Sequence, residues 1–243
     1  MTEITLDIES IPSQIEAVRA EINAAAQREI AELTAPKSYT KPETIAEWKA
    51  NKKTEILAEA AEKYLKLSFD GAANHIVCVG LQINDDEPIA FYGDGDDAIA
   101  DERKIMVALF DHLEANVRTH EKPTFIGHNI VGFDLKIIKQ RAIVLGIRPP
   151  ALIPFNTKPW DNNPFDTMAQ WDQKSFVSLG KICKALGLPG KEGSDGADVY
   201  PMWREKRLAE IAAYCLSDVR KTRAVYKRMQ FQTVAEESPC QAA

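Results

Sequence analysis

Two acids stand one residue apart near the N-terminus, in Leu6-Asp-Ile-Glu9. On a β-strand, residues i and i+2 project from the same face, so Asp7 and Glu9 would lie side by side. At ~4 Å and an effective dielectric of about 20, two such charges repel by roughly 4 kcal/mol. Protonation, a bound cation or solvation of one group at the strand edge relieves that repulsion. If a cation does it, hard oxygen donors select Mg²⁺ or Mn²⁺. A second group is Gly127-His-Asn-Ile-Val-Gly-Phe-Asp134, with Asp134 in the first turn of a helix. The helix dipole favours an ionised carboxylate there, and helix stabilisation alone also accounts for it. A third is Tyr214-Cys-Leu-Ser-Asp218, whose i, i+4 spacing on a helix puts phenol and carboxylate on one face. A buried tyrosine beside a solvated aspartate fits that spacing equally well.

The elements that must position these groups follow from periodicity. Glu3 to Ser10 alternates, with Ile4, Leu6 and Ile8 on one face and Thr5, Asp7 and Glu9 on the other, which predicts a strand. Apolar residues flank both acids and place that strand centrally. Ile15, Val18, Ile22, Ala25, Ile30 and Leu33 recur at helical spacing from 13 to about 33. Thr40 with Glu43, and Pro42 between them, reads as a capping box opening a second helix to about Leu65. Together 13–66 forms a helical hairpin inserted after the first strand. Strands are expected at His75–Ile83, Pro88–Tyr92 and Pro123–Gly127. Helices are expected from Asp97 to Val117, Phe133 to Leu145, Ser178 to Leu186 and Lys206 to Met229, the last with a break near Ser217. The stretch 149–164 reads as loop, 187–198 as a Gly-rich loop, and 232–243 as a flexible tail. This order predicts an α/β domain over 1–231, a mixed sheet flanked by helices.

Composition narrows the function class. The 243 residues are 45% hydrophobic and 27% charged, within the globular range. No apolar run approaches the ~20 residues of a membrane span, and the acidic start does not read as a signal peptide. A soluble, cytoplasmic protein of a bacterial or phage-infected cell is the expectation. Cys78, Cys183, Cys215 and Cys240 form no paired framework and read as reduced thiols, and the four histidines do not join them at zinc-ligand spacing. Residues 1–121 carry a balance of −12 and residues 122–243 one of +6, for a net charge of −6. The acidic total argues against a sequence-blind nucleic-acid coat, and leaves room for local phosphate contacts through metal ions and a basic half.

Taken in order, the three groups resemble the motifs of the DEDD superfamily of 3′–5′ exonucleases, in the subgroup with tyrosine in the third motif. More narrowly, the chain is similar to the exonuclease domain of family B DNA polymerases and their stand-alone relatives. Gly190 to Val199 also resembles that branch. The resemblance implies a ribonuclease-H-like fold and two Mg²⁺ or Mn²⁺ ions held by Asp7, Glu9, Asp134 and Asp218. It further implies that Tyr214 orients the attacking water, and that Ser10, Asn129 and Phe133 hold the terminal nucleotide. The implied activity removes nucleoside 5′-monophosphates from the 3′ end of single-stranded DNA, in replication or repair. An exoribonuclease of the same superfamily, or a non-catalytic module binding nucleic acid or a replication partner, is the alternative. The hairpin 13–66 departs from that pattern. Its Trp48, with Lys49, Lys52 and Lys53, could guide a single strand, bind a replication or repair protein, or simply pack on the core.

Neighbouring residues carry less. His128 lies in the second motif and reads as packed at a strand end, Cys215 as an ordinary helix residue, and Asp166 as a cap. Arg220, Lys221 and Arg223 read as a solvated helix face. The 187–192 segment is no phosphate loop, because Ala185 and Glu192 stand where Gly and Ser/Thr are required. Asp195 and Asp198 lack calcium-loop spacing.

Overall fold

The computed structural model describes residues 2–118, 122–190 and 196–232. Part of the Gly-rich loop, 191–195, and the tail beyond Gln232 therefore lie outside the described residues. Strands β1 (Glu3–Ile11), β2 (His75–Ile83), β3 (Ile89–Tyr92), β4 (Thr124–Gly127) and β5 (Phe165–Asp166) form one sheet in the order β3-β2-β1-β4-β5. β1 runs parallel to β4, β4 parallel to β5, and β2 antiparallel to β3, so the sheet is mixed. The helices are α1 (Glu16–Ala31), α2 (Pro42–Lys66), α3 (Ala98–Asn116), α4 (Asp134–Leu145), α5 (Thr167–Trp171), α6 (Leu179–Ala185), α7 (Val199–Arg204) and α8 (Leu208–Met229). This is the α/β fold expected, a mixed sheet flanked by helices.

β1 is central, and burial on both its faces follows from that place. Ile4, Leu6 and Ile8 are at most 3% exposed, and Thr5 on the opposite face is at 0%. Ile4, Leu6 and Ile8 join Ile76, Val79 and Leu81 of β2, Met106, Leu109 and Leu113 of α3, Phe125 of β4, and Leu135, Ile137 and Ile138 of α4 in one apolar core. α3 starts where expected, with Asp97 accepting from the Ile99 and Ala100 amides. α4 ends at Gly146, whose left-handed φ of 63° suits a C-terminal cap.

The chain forms two compact units, Met1–Glu9 with Ile76–Ala243, and Ser10–His75. In the second unit, α1 turns Val18, Ile22, Ala26 and Ile30 inward to varying degrees, and Ala26 alone of that helix is fully buried. Ala25 is exposed instead, because the buried stripe advances by four residues. Tyr64 of α2 is buried and donates to the Ser13 carbonyl at 2.8 Å, while Arg19 lies over its ring. Trp48 is half-buried, and Lys52 bonds to Glu55.

Several boundaries differ from the sequence reading. The N-cap of α2 is Lys41, not Thr40, and makes no side-chain capping bond. Pro42 explains the shift: it occupies the first helical turn, and its ring holds the preceding residue in extended backbone. α8 is continuous through Ser217. The interruption comes earlier, at Lys206, whose φ of 58° ends the α7 segment. β5 and α5 follow directly on the 149–164 loop, in a stretch for which the sequence reading gave no element.

Candidate active site

The carboxyl ends of β1 and β4, the start of α4 and one face of α8 carry the predicted chemistry. The recorded β1–β4 pairing runs from Glu3–Thr124 to Thr5–Ile126, and β4 stops at Gly127. Beyond that stop, the Ile8 amide donates to Asp134 Oδ1 at 3.0 Å. The acid of the second motif is thereby bonded to the backbone of the residue that separates Asp7 from Glu9. On the other side, Gly80 of β2 lets α8 approach: a Cβ there would lie 2.9 Å from Cys215 Sγ and 2.8 Å from Val219 Cγ2. No larger residue fits between strand and helix, so Gly80 sets the depth at which Tyr214 and Asp218 sit.

Four predicted acids act on one another here. Single oxygens of Asp7 and Glu9 and the Cys215 sulfur lie within 4.8 Å of one another. Asp134 and Asp218 stand outside that tight set and reach it through their charge. Glu9 is 9% exposed and Asp134 2%. Burial pushes the Glu9 carboxyl well above its ordinary value, and the charges of Asp7, Asp218 and Asp134 push it further the same way. Asp134 is raised by burial and by Asp7, against the lowering effect of the Ile8 amide. Among the described residues, no Lys or Arg lies at ion-pair distance from either. Carboxylate oxygens are hard donors, and a divalent cation fits that donor set.

Tyr214 is half-buried on α8. Burial, Glu9, Asp218 and Asp7 raise its phenol, as does a hydrogen bond to Asp218, which favours the protonated form. Cys215 was read as an ordinary helix residue, yet its thiol faces Asp7 Oδ2 at 3.4 Å and the Asp7 carbonyl at 3.5 Å. Burial and its neighbour Cys78 raise the thiol, which disfavours a thiolate. The signal that would have found it is the buried stripe of α8, Leu208, Ile211, Cys215, Val219, Thr222 and Tyr226.

The remaining candidates are placed as follows. Asn129 takes a left-handed φ of 61°, and its amide donates to Asp166 Oδ1 at 2.9 Å. A Cβ at Gly132 would lie 2.4 Å from Asn129 Oδ1, so a larger residue there would displace the Asn129 side chain. Phe133 is half-buried and packs on the edge of the core. Ser10 belongs to the second unit, where its hydroxyl donates to the Ser68 carbonyl at 2.7 Å. Asp166 caps α5, accepting from the Met168 and Ala169 amides. His128 contacts Thr167 Oγ1 at 3.0 Å and the Val177 carbonyl at 2.9 Å, which ties the segment before α6 to the second motif. The solvated reading of Arg220, Lys221 and Arg223 fails for two of the three. Arg223 is 5% exposed against Glu3, and the Lys221 side chain is 11% exposed against Asp218, because α8 lies flat on the sheet along this face.

Residues 63–238 match the family described as "predicted 3'-5' exonuclease related to the exonuclease domain of PolB". The chain belongs to that family. The matched span includes Asp134, Tyr214 and Asp218 and begins after β1. No curated protein matches the sequence. Among solved structures, the family B DNA polymerase of the hyperthermophilic archaeon Pyrobaculum calidifontis is similar, with a TM-score of 0.58 and 17% identity over 95% of this chain. The chain spans 24% of that polymerase's length, and the likeness extends to the fold. Membership makes nucleic acid the substrate class of these exonuclease relatives, and no helix among the described residues is long and apolar enough to cross a membrane.

Proposed function

We propose that the chain is a metal-dependent 3′–5′ exonuclease that trims single-stranded DNA from its 3′ end and releases nucleoside 5′-monophosphates. One observation carries this reading: Glu9 and Asp134 are withdrawn from water beside two more acids, with no basic side chain among the described residues bonded to either. In this reading Asp7, Glu9, Asp134 and Asp218 hold two Mg²⁺ or Mn²⁺ ions. When bound, such ions lower the pKa of water and stabilise charge on the attacking and leaving oxygens of a phosphodiester.

The chain's own residues do the positioning. Tyr214, kept neutral, can donate to or orient the water that attacks phosphorus. As the P–O3′ bond breaks, the leaving oxygen takes a proton and becomes the new 3′-hydroxyl. The Ile8 amide fixes Asp134 against β1, and Gly80 fixes the depth of α8. In this reading Asn129 and Phe133, on the turn entering α4, contact the last nucleotide, the aromatic by stacking on a base.

The test is a 5′-labelled single-stranded DNA incubated with the protein and Mg²⁺ or Mn²⁺, alongside RNA of the same sequence. A DNA ladder that vanishes with EDTA is the expected result. Shortening of the RNA alone would make the enzyme an exoribonuclease. Intact label on both strands would overturn the enzymatic reading.

A further inference from the structure

Four basic residues follow Asp218 within nine positions on α8: Arg220, Lys221, Arg223 and Lys227. Three are bonded to acids at the start of β1 or in the β2–β3 turn. Arg220 meets Glu87 at 3.4 Å, Arg223 meets Glu3 at 2.8 Å and Asp85 at 3.2 Å, and Lys227 meets Asp85 at 2.5 Å. Lys221 turns the other way. Its Nζ lies 3.1 Å from Asp218 Oδ1, with the two side chains 11% and 14% exposed. A lysine so far out of water requires an anion, and the i, i+3 spacing supplies one.

Asp218 thus differs from Glu9 and Asp134, which have no basic partner among the described residues. We propose that Lys221 is a positioning residue that holds the Asp218 carboxylate and competes with a divalent cation for it. The inference rests on reading Asp218 as a metal ligand. The ammonium already meets part of that carboxylate's charge, so a cation arriving there must displace Lys221 or share the carboxylate with it. Either course weakens binding at Asp218 relative to the Asp7–Glu9 side of the cluster. Lys221 therefore sets the metal concentration at which the cluster fills.

The experiment is a Mn²⁺ titration of the full chain without DNA, followed by calorimetry and by thermal shift, for wild type, Lys221→Met, Lys221→Gln and Lys221→Arg. Removing the charge should lower the Mn²⁺ midpoint by about fivefold, the scale of one partly exposed ion pair, while Lys221→Arg stays near wild type. The Mn²⁺ dependence of DNA cleavage should shift by the same factor. A lysine with a merely structural role would change the melting temperature and leave the midpoint in place, and that result would overturn the proposal. If Lys221→Met does not fold, Lys221→Gln reads the same midpoint. Absence of Mn²⁺ uptake by the wild type would instead refute the metal-ligand reading itself.

Discussion

Glu102 on α3 and Glu9 on β1 are both out of water, 0% and 9% exposed, yet their surroundings are opposite. Glu102 receives the Arg141 guanidinium through two bonds, at 2.7 and 2.6 Å, and the Ile76 amide at 3.0 Å. Glu9 has no basic partner among the described residues, and the charge of Asp7 pushes its carboxyl the same way as burial does. One acid is neutralised within the fold. The other stands buried among like charges. A paired buried acid is costly to break and contributes little beyond specificity of packing, whereas an unpaired cluster costs stability for as long as it stays empty. Regions that give up stability in this way are where function is expected.

The largest effect should come from taking an acid out of the cluster. Asp7→Ala or Asp218→Ala should lower cleavage by about 10³-fold or more, since metal-borne stabilisation of the transition state amounts to several kcal/mol. Asp7→Ala should melt no earlier than wild type when metal is absent, because it relieves like-charge repulsion, whereas Asp218→Ala should melt earlier because it leaves Lys221 without its anion. Turnover and thermal melts on one preparation check both halves; near-normal turnover in Asp7→Ala would remove that acid from the chemistry.

The reverse holds at the paired site. Arg141→Met should strand Glu102 in the core and cost about 3–5 kcal/mol, read as a shift in urea midpoint, with little change in the rate of the protein that remains folded. Replacing Glu102 by Leu in the same chain should restore much of the loss. A midpoint close to wild type for Arg141→Met would show that the pair is not the counterpart it is taken to be.

How much of this contrast was legible in the sequence depends on length and spacing. β1 and β2 each run nine residues, long enough for alternation or a β-branched run to show, and their central position could be inferred from the apolar flanks of Asp7 and Glu9. β5 is two residues, too short for any period, and its neighbour Pro164 sits in a segment with no other pattern. The end of α7 was hidden because a lysine, not glycine or asparagine, takes the left-handed position there. Within the site, the order of Asp7, Glu9, Asp134, Tyr214 and Asp218 was readable, since each belongs to a spaced motif. Cys215 could be placed on the buried stripe of α8 and Lys221 at i, i+3 from Asp218, but not the Asp7 carboxylate that the thiol faces or the burial of the lysine, because both depend on the packing of α8 against the sheet. The pairing of Glu102 with Arg141, 39 positions apart, has no local signal at all.

A smaller effect is expected inside the cluster itself. Tyr214→Phe removes one hydroxyl and leaves the ring, so cleavage should slow by about 10–100-fold, the scale of one positioned proton or water contact. Calorimetric Mn²⁺ binding should stay close to wild type. Equal loss of binding and rate would mean that the phenol supports Asp218 more than it orients water.

The finest test of the comparison is the sign of a pH slope. The Glu9 and Asp134 carboxyls are raised in the folded chain above their ordinary values of 4.5 and 3.8. Between the ordinary and the raised values, the folded protein holds more protons than the unfolded one, so stability falls as pH climbs through that window. Asp85, bonded to Lys227 and Arg223, is lowered instead, so its contribution is present above 3.8 and disappears as pH drops. In EDTA, melting temperature should therefore decline on the alkaline side of the carboxylate range, and Glu9→Gln should flatten that decline. Saturating Mn²⁺ should do the same without any mutation, because the cation stabilises the ionised form and only the folded chain assembles the ligands. A decline unaffected by both Glu9→Gln and Mn²⁺ would place its origin away from the cluster and remove the contrast with Glu102.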